Sequence, residues 1–228
     1  MENKTVVGLT MTDKLILIIV TPIVGALLGW FIKIIASWLL KIPFIPFEPL
    51  WEWVVAWDSV WVPVIGAVVG IIAGVLFVFY AFSVILKMTI TDQDVTLVYN
   101  DKEEKLQKKD ISAIFLDGKE IVFLGNHGQE LYRRETDNKK QAIAEAFQQH
   151  FFPWKDEDPY ANQYHRWVPD HPDFPAAVNT LLAARERAIQ EGNEKEIDIL
   201  RRDLAAEGVV IRDQDGHQYV RLARGKHQ

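Results

Sequence analysis

The chain has 228 residues, 25 basic and 31 acidic side chains, a formal net charge of −6 and no cysteine. Residues 1–87 hold five acids and five bases, while the remaining 26 acids and 20 bases lie in residues 88–228, so a single soluble core is excluded. The acidic balance argues against a nucleic-acid coat along the whole chain, since phosphate binders carry a basic excess. Without cysteine there is no disulfide frame, thiolate metal site or cysteine nucleophile, which fits a reducing compartment.

The first apolar run, Leu15–Ile32, is uncharged over 18 residues; Lys33 follows and apolar residues resume to Leu40. About 20 apolar residues cross roughly 30 Å of hydrocarbon. Leu15–Leu40 is therefore predicted as one tilted span, with Lys33 snorkelling to a surface. The second run, Val60–Leu86, has no charge, and its Pro63 sits near the start, where a missing N–H is harmless. A cleaved signal peptide fits the first run poorly. The run is too long, and Lys-Ile-Pro-Phe-Ile-Pro-Phe rather than small residues follows it. A soluble helical hairpin would need protein around the second run on every side.

Gly25 and Gly29 in the first run, and Gly66, Gly70 and Gly74 in the second, recur at four-residue spacing. Each set lines one helix face, where another backbone can approach closely. The expectation is a hairpin of two packed spans, with a homodimer through the longer glycine stripe as the competitor. Lys4, Lys14, Lys87, Lys102 and Lys105 on one side, against Lys33 and Lys41 on the other, place both termini in the cytoplasm. The connector 41–61 carries Trp51, Trp53, Trp57 and Trp61. Its prolines 43, 46 and 49 delay helix, so residues 49–58 read as a segment on the outer membrane surface with Glu48, Glu52 and Asp58 toward water. An aromatic ligand groove is the sharper alternative.

From residue 88 the hydrophobic period changes to two. KMTITDQDVTLVYN reads as a half-buried strand, Asn100-Asp101 as a turn and Glu103–Gln107 as a polar strand. Asp117-Gly118 between two apolar runs marks a hairpin, and Asn126-His127-Gly128 the next turn before Gln129–Arg133. Asp137 is expected to cap a helix to about His150, with Ala142, Ile143, Ala146 and Phe147 on one face. Lys102, Lys105, Lys108 and Lys109 are interleaved with Glu103, Glu104 and Asp110, so they read as a solvated edge rather than a phosphoinositide site.

Residues 153–175 are predicted as an irregular linker rich in proline and aromatic residues, with Trp154 and Trp167 packing across the soluble modules. His165, Asp170, His171 and Asp173 lack the spacing of a metal site. Ala176–Ile189 is predicted helical with Val178, Leu181, Leu182, Arg185 and Ile189 near one face. Gly192 stops it, Asn193 with Glu196 opens a second helix bearing Ile197, Leu200 and Leu204, and Gly208 ends that. Val209–Arg212 and His217–Leu222 flank a turn. The fold class is thus a membrane α-helical hairpin (1–87), followed by an α+β cytoplasmic part. That part has a β domain with a C-terminal helix (88–152), the linker (153–175), and a small helical hairpin plus β-hairpin (176–228).

The strand–helix order of residues 88–152 resembles the bacterial pleckstrin-homology-like domain. LLAARERAI (181–189) and EIDILRRDLAAEGVVIRDQDG (196–216) resemble the C-terminal end of cysteinyl-tRNA synthetase. Leu182, Arg185, Glu186, Leu200, Arg201, Asp203, Leu204, Gly208, Val209, Asp213 and Gly216 match its pattern, and Ile197 departs from it. ISAIFLDGKE, AFQQHFFPWKDEDPY and residues 181–222 give the whole chain a resemblance to YqeB-like bacterial membrane proteins. The synthetase resemblance implies RNA contact, for which Arg185, Arg201, Arg202, Arg212 and Arg221 are the candidate RNA or partner residues. Arg187 and Arg224 also belong to this basic set. Residues 153–228 nonetheless carry 11 bases against 14 acids.

No P-loop, HExxH, GxSxG or dinucleotide glycine pattern occurs. The reading is a membrane-anchored cytoplasmic interaction protein without catalysis, cofactor or metal, its partners the lipid bilayer and a cytoplasmic protein. A membrane-tethered RNA- or tRNA-binding adaptor is the alternative.

Overall fold

The computed structural model describes residues 4–57 and 59–223. These form two compact bodies: residues 8–85 with 99–102, and the described residues of 1–7, 86–98 and 103–228.

In the first body, helix α1 (Met11–Trp30) opens with a reciprocal cap. The Thr10 hydroxyl accepts from the Asp13 N–H at 3.2 Å, and the Asp13 carboxylate accepts from the Thr10 N–H at 3.2 Å. The predicted single span Leu15–Leu40 breaks at Phe31, and a separate helix α2 (Ile32–Leu39) follows. The break comes two residues after Gly29 and just before Lys33, where the Phe31 N–H is shared between the Leu27 and Gly29 carbonyls. Helix α3 (Glu48–Ala56) occupies the tryptophan-rich connector, and α4 (Trp61–Ser83) is the second long apolar helix. Asp58, expected toward water, lies outside the described residues. Both α1 and α4 are long and apolar enough to cross a membrane.

The glycines of the two helices face each other. A Cβ on Gly25 would overlap the Gly70 carbonyl, one on Gly29 the Gly66 carbonyl, and one on Gly74 would stand 2.8 Å from the Pro22 Cα. Only hydrogen at these positions allows the two backbones to meet. The outward faces are apolar and open: Ile16 is 54%, Leu28 56% and Phe79 69% exposed.

The second body begins before the hairpin. Strand β1 (Lys4–Val7), which sequence reading missed, pairs antiparallel with β2 (Lys87–Thr91), from Lys4 opposite Thr91 to Val7 opposite Met88. The β domain is therefore discontinuous, and its boundary is not residue 88. The two apolar helices are inserted between its first two strands. The stretch read as one strand from residue 88 is a hairpin, β2 and β3 (Asp94–Tyr99), because the Thr91 hydroxyl accepts the Gln93 and Asp94 N–H groups and folds the chain back. Asn100 and Asp101, at φ 54° and 58°, then turn into β4 (Lys102–Gln107). The sheet order is β1-β2-β3-β4.

A second sheet, β5 (Ile111–Asp117), β6 (Glu120–Gly125) and β7 (Glu130–Glu135), follows in sequential order. Helix α5 (Lys140–Gln149) closes the domain with buried Ile143, Ala146 and Phe147. The Phe147 ring meets Phe123 and Phe152 edge-on at 5.6 Å and stacks on Trp154 at 6.3 Å. Asp137 does not cap this helix. Lys139 is the N-cap, because Asn138 is held back on the Thr136 hydroxyl. Ala142 is exposed.

The linker contributes a short strand, β8 (His165–Arg166), not foreseen in the sequence. Helices α6 (Ala176–Glu191) and α7 (Glu194–Ala206) and strands β9 (Val209–Gln214) and β10 (His217–Leu222) complete the chain, with sheet order β8-β10-β9. Gly192 at φ 67° ends α6, and the Asn193 side chain accepts the Glu196 N–H. Trp167, Phe174, Val178, Leu182, Leu204, Val209, Ile211 and Val220 form one core, in which the Trp167 indole donates to Asn179 at 2.9 Å. Ala188, not Ile189, lies on the buried face of α6.

A soluble fragment starting at Leu86 lacks β1 and leaves Met88 and Ile90 under an open edge. Reattaching residues 4–7 through a short flexible linker is expected to raise its stability by about 2 kcal/mol, or Tm by roughly 4–8 °C in a calorimetric scan.

Candidate functional site

Five residues proposed for contact with RNA or a partner come from different elements, and four of them turn inward. Arg185 on α6 is fully buried. Its guanidinium donates to both Asp213 carboxylate oxygens at 2.7 and 2.6 Å and to the Gln218 Oε1 at 2.9 Å. Gln218 in turn donates to the Leu182 carbonyl at 3.0 Å. Arg201 on α7 reaches the same Asp213 at 2.6 Å. Arg212 on β9 donates to Asp117 at 3.1 Å and lies 3.7 Å from Asp158. Arg221 on β10, 3% exposed, lies 4.4 Å from the Tyr160 ring centre and 5.4 Å from that of Tyr164. Arg202 alone of the five stands in solvent. Arg224 lies outside the described residues.

The described arginines of the candidate set do not converge on one open face. Three of the inward arginines are neutralised by carboxylates, and Arg221 is covered by aromatic rings. Counting charges along the sequence shows the acids and bases but not which of them meet.

The network joins the β domain to the C-terminal module. Arg133 on β7 is the centre on the β-domain side, donating to Glu130 at 2.9 Å, Asp117 at 3.0 Å and Glu120 at 2.8 Å. Asp117 thus serves Arg133 and Arg212 together. Arg134 donates to Asp198 of α7 at 3.0 Å, and Arg201 stands 4.0 Å from Glu130. Sequence reading missed Asp117, Glu130, Arg133 and Asp198. A buried arginine on a strand carries no local signal until its partners are known.

Burial by itself raises the Asp213 carboxyl. The Arg185 hydrogen bonds and charge, with Arg201 and Arg133 behind them, reverse that and hold it below the usual carboxylate range. Burial likewise raises Asp117, and the charge and hydrogen bond of Arg133, with those of Arg212, bring it below its ordinary value. Arg133 is destabilised as a cation by burial, but Glu130 and Glu120 more than restore it. Tyr164 is pushed up to about 12, chiefly by burial; its phenol stays neutral.

Away from the network, His150 at the C-terminal end of α5 is fully buried. Its Nδ1 lies 2.6 Å from Asp92 and its Nε2 2.8 Å from the Thr5 hydroxyl. A carboxylate only accepts, so Nδ1 carries the proton and, in the neutral ring, Nε2 accepts from Thr5. The order hydroxyl–imidazole–carboxylate is that of a hydrolytic triad, but the imidazole is sealed off. The trio is a clamp on β1. His171 and Asp173 stand 3.9 Å apart, and among the described residues no group of three His, Asp or Glu side chains is placed to hold a metal ion.

The class of protein follows from this geometry. A pleckstrin-homology-like β domain, interrupted after its first strand by two long apolar helices, is bonded through buried charge to a helical-hairpin module. The family model described as YqeB-like bacterial PH domain matches residues 5–155, which includes β1 except for Lys4 and both inserted helices, and the model for the cysteinyl-tRNA ligase anticodon binding domain matches residues 171–221. The chain is 35% identical over 223 residues to the uncharacterized protein YqeB of Bacillus subtilis (strain 168), covering 97% of this chain and 93% of that protein. The chain belongs to the YqeB-like family. No solved structure matches it.

Replacing Asp213 by Asn leaves Arg185 buried without its counter-charge. A loss of about 3 kcal/mol or more is expected, or roughly 6–12 °C in Tm, by calorimetry of the detergent-solubilised protein. Arg202→Ala, at an exposed position, is expected to change stability by less than about 0.5 kcal/mol.

The depressed carboxyls also set a pH dependence. Unfolded Asp titrates near 3.9, so the contribution of Asp117 and Asp213 is complete above about pH 5 and is lost as pH falls below about 4, through their lower folded values. Tm measured from pH 6 to pH 2.5 is expected to fall less steeply in the Asp117→Asn, Asp213→Asn double variant, from a lower plateau.

Proposed function

We propose that this protein is a membrane-anchored cytoplasmic interaction protein without catalytic activity, its two soluble modules presented to a protein partner as one body. The observation that carries this reading is the inward turn of Arg185, Arg201, Arg212 and Arg221. Arg185 and Arg201 are spent on Asp213 within the C-terminal module, and Arg212 reaches across to Asp117 of the β domain. RNA affinity rests on uncompensated positive charge. Among the described residues of the C-terminal module, that leaves Arg187, Lys195 and Arg202, all exposed, to supply it.

Membrane anchoring is supported by the open apolar faces of α1 and α4, far beyond what a soluble monomer leaves wet. Pairing of β1 with β2 supports a common side for the residues before α1 and after α4. Together with the lysine distribution, this favours both termini in the cytoplasm. The aromatic connector, with Trp53 and Trp57 rings 4.9 Å apart, then belongs at the outer headgroup layer. The glycine stripe proposed for a homodimer is occupied within one chain.

Full-length protein is expected to stay in the membrane pellet after a high-salt wash, and its C-terminal part to resist protease added to intact cells. Recovery in the supernatant, or cleavage of that part from outside, defeats the anchored reading. In filter binding with detergent-solubilised full-length protein, tRNA is expected to show no salt-sensitive retention at micromolar protein. Retention that disappears on Arg187→Glu with Arg202→Glu would favour the adaptor reading instead.

A further inference from the structure

Strand β1 is joined to α1 by three residues, Gly8–Thr10, and α4 to β2 by three more, Val84–Leu86. At no more than about 3.5 Å per residue, each connector reaches roughly 14 Å. The paired strands therefore limit how far the start of α1 and the end of α4 can separate. As they separate, the connectors extend and lose conformations, a tension that works against strand pairing before full extension is reached, and the two strands are unequal.

Strand β2 is central, flanked by β1 and β3. The end of α4 that leads into it has a second hold, since the Asn100 N–H donates to the Ser83 carbonyl at 2.7 Å. Strand β1 is an edge of four residues with β2 as its one neighbour in the sheet, and its Val6 is 53% exposed. Its side-chain hold is chiefly the Thr5–His150–Asp92 clamp, itself fixed by the Lys108 ammonium on the His150 carbonyl at 2.6 Å, with a longer contact of 3.5 Å from the Thr5 hydroxyl to the Gln149 Oε1. Short edge strands are marginal on their own, and low local contact makes an element the first to open.

We propose that β1 is a strap: when α1 moves away from α4, β1 leaves the sheet, and a change in the helical hairpin becomes an unpaired edge on β2 of the soluble body. The clamp at His150 sets how readily the strap opens.

The absence of cysteine allows pairs to be introduced without background. Val6→Cys with Thr89→Cys lies across β1 and β2, and Lys87→Cys with Val98→Cys across β2 and β3. In full-length protein in lipid vesicles, both pairs are expected to cross-link on mild oxidation. Adding Gly25→Leu, which drives into the Gly70 carbonyl, is expected to slow the 6–89 cross-link about fivefold or more and leave the 87–98 cross-link unchanged. An unchanged 6–89 rate overturns the strap, and so does an equal fall at both pairs, which means that the sheet comes apart as a whole. Gly74→Ala supplies a milder push if Gly25→Leu does not insert.

With the native hairpin, His150→Gln is expected to speed amide exchange at Thr5–Val7 about tenfold, the loss of one hydrogen bond, with residues 121–124 unaffected. Exchange at Thr5–Val7 that stays unchanged, or that moves together with residues 121–124, overturns the clamp.

Discussion

Four backbone pairs between Lys4–Val7 and Met88–Thr91 decide the organisation of this protein. They make the β domain start before the apolar helices and resume after them, so that nearly eighty residues form an excursion from one sheet. Chain order during synthesis imposes a consequence. The first strand has no partner until both helices have been made, because its neighbour in the sheet comes after α4. Closure of the β domain therefore depends on the hairpin having brought the chain back to β1.

Within the hairpin, the deciding quantity is the volume of a hydrogen atom. Gly25, Gly29, Gly66 and Gly70 let carbonyl groups of one helix occupy the space where a side chain of the other would stand. Between apolar helices in lipid there is no hydrophobic gain from association, so close packing of this kind supplies the attraction. The same helices leave their remaining apolar surface outward, and each is long and apolar enough to cross a membrane.

The soluble body is governed by a different balance. Burying Arg185 and Arg133 is unfavourable unless every charge finds its counterpart, and the structure provides Asp213, Asp117, Glu120 and Glu130 within 3.0 Å. Such networks add little net stability over an apolar contact but penalise any other arrangement severely, because a displaced arginine would be left alone in the interior. The pairs that cross from the C-terminal module to the β domain include Arg212 with Asp117 and Arg134 with Asp198, with Arg201 4.0 Å from Glu130, and these set how the module sits. The module that matches the anticodon binding domain model thus carries arginines already paired with its own carboxylates.

Much of the architecture was legible from periodicity and from glycine. Uncharged runs announced the two apolar helices, alternation announced β3 and β5–β7, and Gly192 and Gly208 marked the ends of α6 and α7, since these signals arise from neighbours in the chain. The glycine spacings placed Gly25 and Gly66 on packing faces for the same reason. Strand β1 escaped notice because four residues carry too little pattern, and their partner lies more than eighty positions away. The break at Phe31 and the turn at Thr91 escaped because each depends on how local hydrogen bonds compete. The arginines were visible as residue types, but their roles were not. Whether Arg185 meets solvent or Asp213 is set by which helix face the core of Val178, Leu182 and Leu204 buries, and by the strands that bring residue 213 back to it. Sequence alone determined the solvent preference of each segment, because that is a sum over side chains. Only the tertiary structure decided which charges neutralise which, because ion pairing requires proximity in space and the pairs here lie up to 95 residues apart.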